Sequence, residues 1–317
     1  MSSTNADRTT TSRDFVQQGW QDHAADAAGV MGRLPEGVLL VEVADEVAPL
    51  AALIVHVAGE HLGRWADGLG LLERLASRPA CAPGSAAAEA LARSRAVLHL
   101  CAGEHAACEA ALQEGHPAEL PEASTRARVL ATAASALAGQ KRLPEATAAF
   151  REAAALIEYG PTPEDPATRA LAITGNNIAC ELEETPGRTP EQDALLELAA
   201  RTARACWERC GTWVNVYLAE YRLAMTCLAL GRPQEALAHA RSALELCQRH
   251  QGSPYDLLFA HEALARAHHA AGDAGGAQAA AAQAPDFLER VEEGSRGHAR
   301  ETLDRLQTLL DGRQPAG

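Results

Sequence analysis

Lysine is almost missing from this chain: Lys141 is the only one in 317 residues, so arginine carries nearly all the positive charge. Aromatic residues make up only 4%, and β-branched residues are scarce, so the side chains that suit a pleated sheet are in short supply. No run of basic residues interrupts a net charge of −14, and such a field repels phosphate backbones; nucleic acid is excluded as a partner. The longest apolar stretch, Val47 to Ala58, contains Pro49 and His56 and falls short of the about 20 residues a membrane span needs. The first residues are polar and rich in Ser and Thr, with no apolar core of a secretory signal. Eight cysteines without a recurring spacing do not form a disulfide framework, and reduced thiols are expected. These absences together predict a cytoplasmic protein with no membrane partner. Arginine in place of lysine, with abundant Ala and Gly, reads as the codon bias of a GC-rich bacterial genome.

What is abundant is alanine, 70 residues of it, the best intrinsic helix former. With 47% apolar and 22% charged residues the chain has the composition of a folded protein, and an all-α one. An internal repeat organises it. The segment YRLAMTCLALGRPQEALAHARSALEL from Tyr221 and the segment HEALARAHHAAGDAGGAQAAAAQA from His261 each read as a helix, a turn at Gly231 or Gly272, and a second Ala-rich helix. Upstream turns at Gly63, Gly103 and Lys141 carry the same pattern at intervals of roughly 40 residues, and a turn near Gly187 divides the longer gap that follows. Five residues after each turn stand Gly68, Cys108, Ala146, Ala236 and Ala277; seven before come Ala96, Ala134, Cys180, Ala224 and Ala265. Small residues there let two helices approach closely. Helix starts agree with this frame: Thr189-Pro190-Glu191-Gln192 and Ser253-Pro254-Tyr255-Asp256 each place a capping hydroxyl, a proline in the first turn and an acceptor three residues on. Asp165-Pro166, Pro144 and Pro233 mark further starts.

This register of small residues in helix–turn–helix units resembles the tetratricopeptide repeat family, most closely at GRPQEALAHARSALEL, although the units are longer than the about 34 residues typical of that family. Arg95, His56 and Gln192 depart from the pattern. The resemblance implies a right-handed superhelix of antiparallel helix pairs, a TPR-like α-solenoid, with residues 50–285 as six hairpins. Residues 13–49 read as N-terminal helices forming a half repeat, and 286–311 as a C-terminal capping helix interrupted near Gly294 to Gly297. Such a cap is needed because an open end exposes the continuous core. Residues 1–12 and 312–317 are expected to be disordered.

No nucleophile elbow, phosphate-binding glycine loop or dinucleotide fingerprint is present, so no catalytic role and no cofactor are expected. His99, Cys101, His105 and Cys108 have the ligand types and close spacing of a zinc site, but the repeat register gives each a packing role first. Cys206 and Cys210 share a helix face without completing a ligand set, and their parallel side-chain directions suit no disulfide. His56, Glu60 and His61, in HVAGEH, lack the HExxH order of a metalloprotease, and His56 reads as a packing histidine or a local shift of register. His261 and His268 point toward the core and His269 toward the groove. No metal is assigned.

In the resembled family the first helix of each pair lines a concave surface. That implies a groove containing Arg93, Arg128, Asn177, Glu181, Tyr221, Met225, Phe259, Glu262, Arg266 and His269. Its character changes along its length, from arginines and small residues through a polar acidic middle to an apolar wall. A peptide or helix could bury an apolar anchor against Tyr221 and Met225 while Arg93 or Arg128 pairs a carboxylate. The family's paired lysines and asparagines for gripping a terminal carboxylate are absent. The expected function is a non-catalytic interaction scaffold or adaptor for another protein, with a ligand- or peptide-responsive regulator as the alternative and a metal- or thiol-linked role as a third. A homodimer through the terminal helices is a further expectation, since apolar solenoid ends stack.

Overall fold

A computed structural model describes residues 11–117, 119–158, 162 and 164–312. It is all-α, with no strand among the described residues. Two compact units divide the chain near residue 168, the second taking everything from Thr168 on.

The first unit opens with α1 (Ser12–Asp22) and α2 (Ala27–Leu40), then a short 3-10 turn at Ala44–Glu46. Next come α3 (Val47–Ile54), which widens without a break into a π-helical turn over Val55–His61, and α4 (Trp65–Ala76). Two longer hairpins follow: α5 (Ala86–Ala102) with α6 (His105–Glu114), and α7 (Glu122–Gly139) with α8 (Leu143–Ile157). In the second unit α9 (Pro166–Glu184) precedes α10 (Pro190–Cys210), and α11 (Trp213–Ala229) pairs with α12 (Pro233–Arg249). The next pair is α13 (Pro254–Ala270) and α14 (Ala274–Ala281); the one-turn α15 (Pro285–Leu288) and α16 (Glu293–Leu310) complete the unit. The hairpin partners α5 and α6, α7 and α8, α11 and α12, and α13 and α14 pack on each other across short turns, and first helices of consecutive pairs also touch, α5 on α7 and α11 on α13.

The turns are built one way. Gly63, Gly103, Lys141, Gly187, Gly231 and Gly272 all adopt positive φ, between 61° and 79°. At Gly103, Lys141, Gly231 and Gly272 the next N–H donates back five residues, to the carbonyls of His99, Leu137, Cys227 and His268, which satisfies the helix end. Glycine enters this left-handed region freely, whereas Lys141 occupies it at a steric cost. The small positions flanking the turns are buried: Gly68, Cys108, Ala146, Ala236 and Ala277 on second helices, and Ala96, Ala134, Ala224 and Ala265 on first helices. At Gly68 an added Cβ would lie 2.8 Å from Leu98 and 3.0 Å from Ala58, so the approach of the helices requires a minimal side chain.

Capping boxes stand at Thr189/Gln192 and Ser253/Asp256, and the Asp165 carboxylate accepts from the Ala167 N–H at 2.8 Å to start α9. Two expectations change. Thr11 and Ser12 are ordered, since the Thr11 hydroxyl and Asp14 form a capping box and Ser12 is buried; residues 1–10 and 313–317 lie outside the described residues. The expected interruption at Gly294 to Gly297 is absent. Helix α16 runs through both glycines, and the break comes earlier, at 289–292, where buried Val291 anchors the turn and Arg296 donates to its carbonyl at 2.9 Å. No helix among the described residues is long and apolar enough to cross a membrane.

Candidate functional site

The second unit contains a cleft of about 710 Å³. Helices α9, α11 and α13 supply most of its lining, and α16 adds His298, Thr302 and Arg305. Local sequence sets these helices in place. The Thr212/Asn215 and Ser253/Asp256 boxes fix where α11 and α13 begin, and buried Tyr217 on α11 donates its hydroxyl to the Asp256 carbonyl at 3.0 Å. That bond ties the start of α13 to the second turn of α11, so Tyr221, one turn further on, faces Glu262.

An aromatic wall forms one side. The rings of Tyr255 and Phe259 lie 4.6 Å apart, Tyr221 meets Phe259 edge-on at 6.0 Å, and the His298 ring stacks on Phe259 at 5.6 Å. Edge and offset geometries of this kind suit the ring quadrupoles. Met225 and Leu218 extend the apolar surface, Leu218 being one of the few exposed large hydrophobic side chains.

The other side is charged and unusually buried. Glu262, 1% exposed, pairs with Arg266 one turn along α13 and accepts a 3.2 Å hydrogen bond from the Tyr221 hydroxyl. Arg222 on α11 pairs with Glu183 on α9. Burial pushes the Glu262 carboxyl above its usual range, and the Arg266 and Tyr221 contacts only partly offset it. Burial raises Glu183 in the same way against the opposing charge of Arg222. For both arginines burial disfavours the charge, but the adjoining glutamates outweigh it and hold the guanidinium above its ordinary value. Burial also pushes the Tyr221 hydroxyl well up, keeping it a neutral donor. The Arg222 Nε is buried without a hydrogen-bond partner among the described residues. Breaking one member out of such a pair is costly, so the charges hold the three first helices in register as well as facing the cleft.

Of the residues expected to line a groove, Asn177, Tyr221, Met225, Phe259, Glu262 and Arg266 line this cleft. Glu181 is exposed on α9, and neither it nor His269 is among the lining residues. Arg93 and Arg128 belong to the first unit. There Arg93 donates to the Gly115 carbonyl at 3.1 Å, and burial together with the neighbouring Arg128 charge lowers it to about 10. Burial lowers Arg128 as well. Glu183, Arg222, Tyr255 and the three α16 residues had no place in the expected groove. Arg222 and Glu183 fall between the repeat positions that aim inward, and α16 read as a cap. The signal that could have found Arg222 is an arginine embedded in the apolar stretch of YRLAM.

Neither cysteine cluster brings three ligand atoms together among the described residues. Cys101 and Cys108 are buried, and burial pushes the Cys101 thiol up to about 12; His99 instead holds Glu104, with Nδ1 at 2.6 Å from its carboxylate. Cys206, likewise buried, is pushed up to about 12. Thiols this reluctant to ionise are poor nucleophiles.

No family model and no curated protein matches the chain. Among solved structures, one of a Rap protein complexed with competence and sporulation factor is similar over 96% of this chain and 87% of that one, with 14% identity and a TM-score of 0.39.

Proposed function

We propose that this is a tetratricopeptide-like repeat protein with no chemistry of its own, whose second-unit cleft binds a short peptide segment of a partner protein. The observation that supports this most is the pairing, in one cleft, of an aromatic wall with largely buried arginine–glutamate pairs. Aromatic and arginine side chains in desolvated pockets are the usual sources of binding energy at protein interfaces. The volume of about 710 Å³ lies within the roughly 300–1,000 Å³ range of sites that enclose a small ligand. It therefore suits one apolar anchor and its flanking backbone better than the whole face of a long helix. The polar side can then pair a charged group next to that anchor, where partial exclusion of water strengthens each contact.

One observation favours the regulatory variant of this reading. Because α16 contributes to the same lining as α9, α11 and α13, an occupant of the cleft touches α16 and the repeat pairs at once. Binding would then bias the position of α16 by as much as the ligand prefers one arrangement over another.

Selection of short displayed peptides on the purified full-length protein tests the reading. Selected peptides should share an aromatic or aliphatic anchor and lose at least ~10-fold in affinity, about 1.4 kcal/mol, on the double variant Leu218→Ala/Tyr255→Ala. Both side chains retain some exposure, so the variant should fold, which circular dichroism checks. Equal binding to both proteins sinks the cleft assignment.

A further inference from the structure

Three histidines far apart in the sequence meet in the first unit: His23, just after α1, and His56 and His61, on the π-helical turn that continues α3. One ring nitrogen from each lies within 4.8 Å of the other two, and the Nε2 atoms of His56 and His61 are 3.1 Å apart. We propose that these three imidazoles form a binding site for a divalent transition-metal ion of the zinc class, with Glu60 orienting one of them.

The tautomers follow from the surroundings. His23 Nδ1 lies 2.7 Å from the Trp20 carbonyl, which can only accept, so Nδ1 carries the proton and Nε2 keeps its lone pair. His56 Nδ1 lies 3.2 Å from the Glu60 carboxylate and donates to it, which again leaves the Nε2 lone pair. A histidine whose outer nitrogen is held by a carboxylate or a carbonyl is the arrangement that fixes and strengthens imidazole ligands in metal sites. Glu60 is itself supported from α7. Its carboxylate accepts from Ser135 Oγ at 2.9 Å, and its carbonyl accepts from Gln140 Nε2 at 2.7 Å. Gly139 passes so near that an added Cβ would sit 2.7 Å from the Glu60 carbonyl oxygen.

The backbone is shaped to the same end. Five residues apart on a regular α-helix, His56 and His61 would point about 140° away from each other. The π-helical turn, with the Leu62 N–H reaching back to the Val57 carbonyl, brings the two rings to 4.7 Å between centroids. Single π-turns inside helices occur frequently at functional sites. Tetrahedral zinc with Zn–N near 2.0–2.1 Å places its ligand nitrogens about 3.3–3.4 Å apart. One contact is already at 3.1 Å, and with all three nitrogens within 4.8 Å of one another, displacements of about 1.5 Å or less bring them into that range. Three nitrogen ligands exclude magnesium and calcium, which take oxygen, and favour zinc, copper and nickel. Since His61 is exposed and His23 and His56 half-exposed, the fourth position opens to water.

The test uses the full chain, stripped with a chelator and dialysed. Titration with ZnCl₂ by calorimetry should show one tight equivalent, and CoCl₂ should develop visible bands that saturate at one equivalent; MgCl₂ should do neither. The double variant His23→Ala/His61→Ala should lose that equivalent, and Glu60→Gln should weaken it ~10- to 100-fold. Zinc should also protect His23, His56 and His61 of the unmutated protein, and not the other histidines, from carbethoxylation read by mass spectrometry. This last measurement needs no variant to fold. Cobalt bands that persist in the double variant, or zinc that leaves the three histidines as reactive as before, would overturn the assignment.

Discussion

The hairpin of α11 and α12 and the one formed by α3, its π-turn and α4 are built on like turns, at Gly231 and Gly63, and contrast most at the position seven residues before the turn. Seven positions before the turn, the α11 hairpin has Ala224, fully buried in a cluster with Ala236 and Ala240. The α3 hairpin has His56 there, half-buried, facing His23 and His61. In the first case helices pack closely because nothing projects between them. In the second a ring occupies that place, and the backbone widens into a π-turn around it. A stripe of small residues is thus a packing constraint, and where the chain departs from it the backbone changes and polar groups gather.

Four substitutions bear on this contrast. The largest effect belongs to a polar group that the regular hairpins do bury. Glu262→Ala strands Arg266 in the wall of the cleft and should cost about 3–5 kcal/mol, measured by chemical denaturation. A loss below about 1 kcal/mol would mean that the pair is dispensable to packing. Next, Ala236→Leu forces extra volume between α11 and α12 and should cost about 1–3 kcal/mol, whereas His56→Ala in metal-free protein should cost less than about 1 kcal/mol. Equal costs would break the comparison. The smallest effect is a gain: Lys141→Gly relieves a left-handed residue at the α7–α8 turn and should add about 0.5–1 kcal/mol, visible as a raised midpoint.

Much of the fold was legible because its signals are local. The six turn residues and the flanking small residues could be found by spacing alone, and the capping boxes at Thr189 and Ser253 by residue type. The candidate cleft was legible where an inward-facing position also held a distinctive residue, as at Tyr221, Phe259 and Arg266. It was not legible where contact depends on packing between distant segments. His23 meets His56 only because α1 lies against α3, and no periodicity encodes that. The π-turn inserts a change of pitch that a fixed 3.6-residue count cannot follow, so HVAGEH looked like a flaw in the repeat. Arg222 and Glu183 choose each other across two helices, and the role of α16 depends on where the chain returns after Val291.

The contribution of α16 to the cleft has a consequence in time as well as in space. A ribosome makes the chain from α9 toward α16, so His298, Thr302 and Arg305 are the last part of the lining to emerge. The aromatic wall lacks His298 while the chain is still being made. A nascent chain in which α9 to α13 are already folded then has only part of this lining, and the rest arrives with α16. The middle turns of α16 thereby set when the lining is complete, being the last part of the cleft to be made.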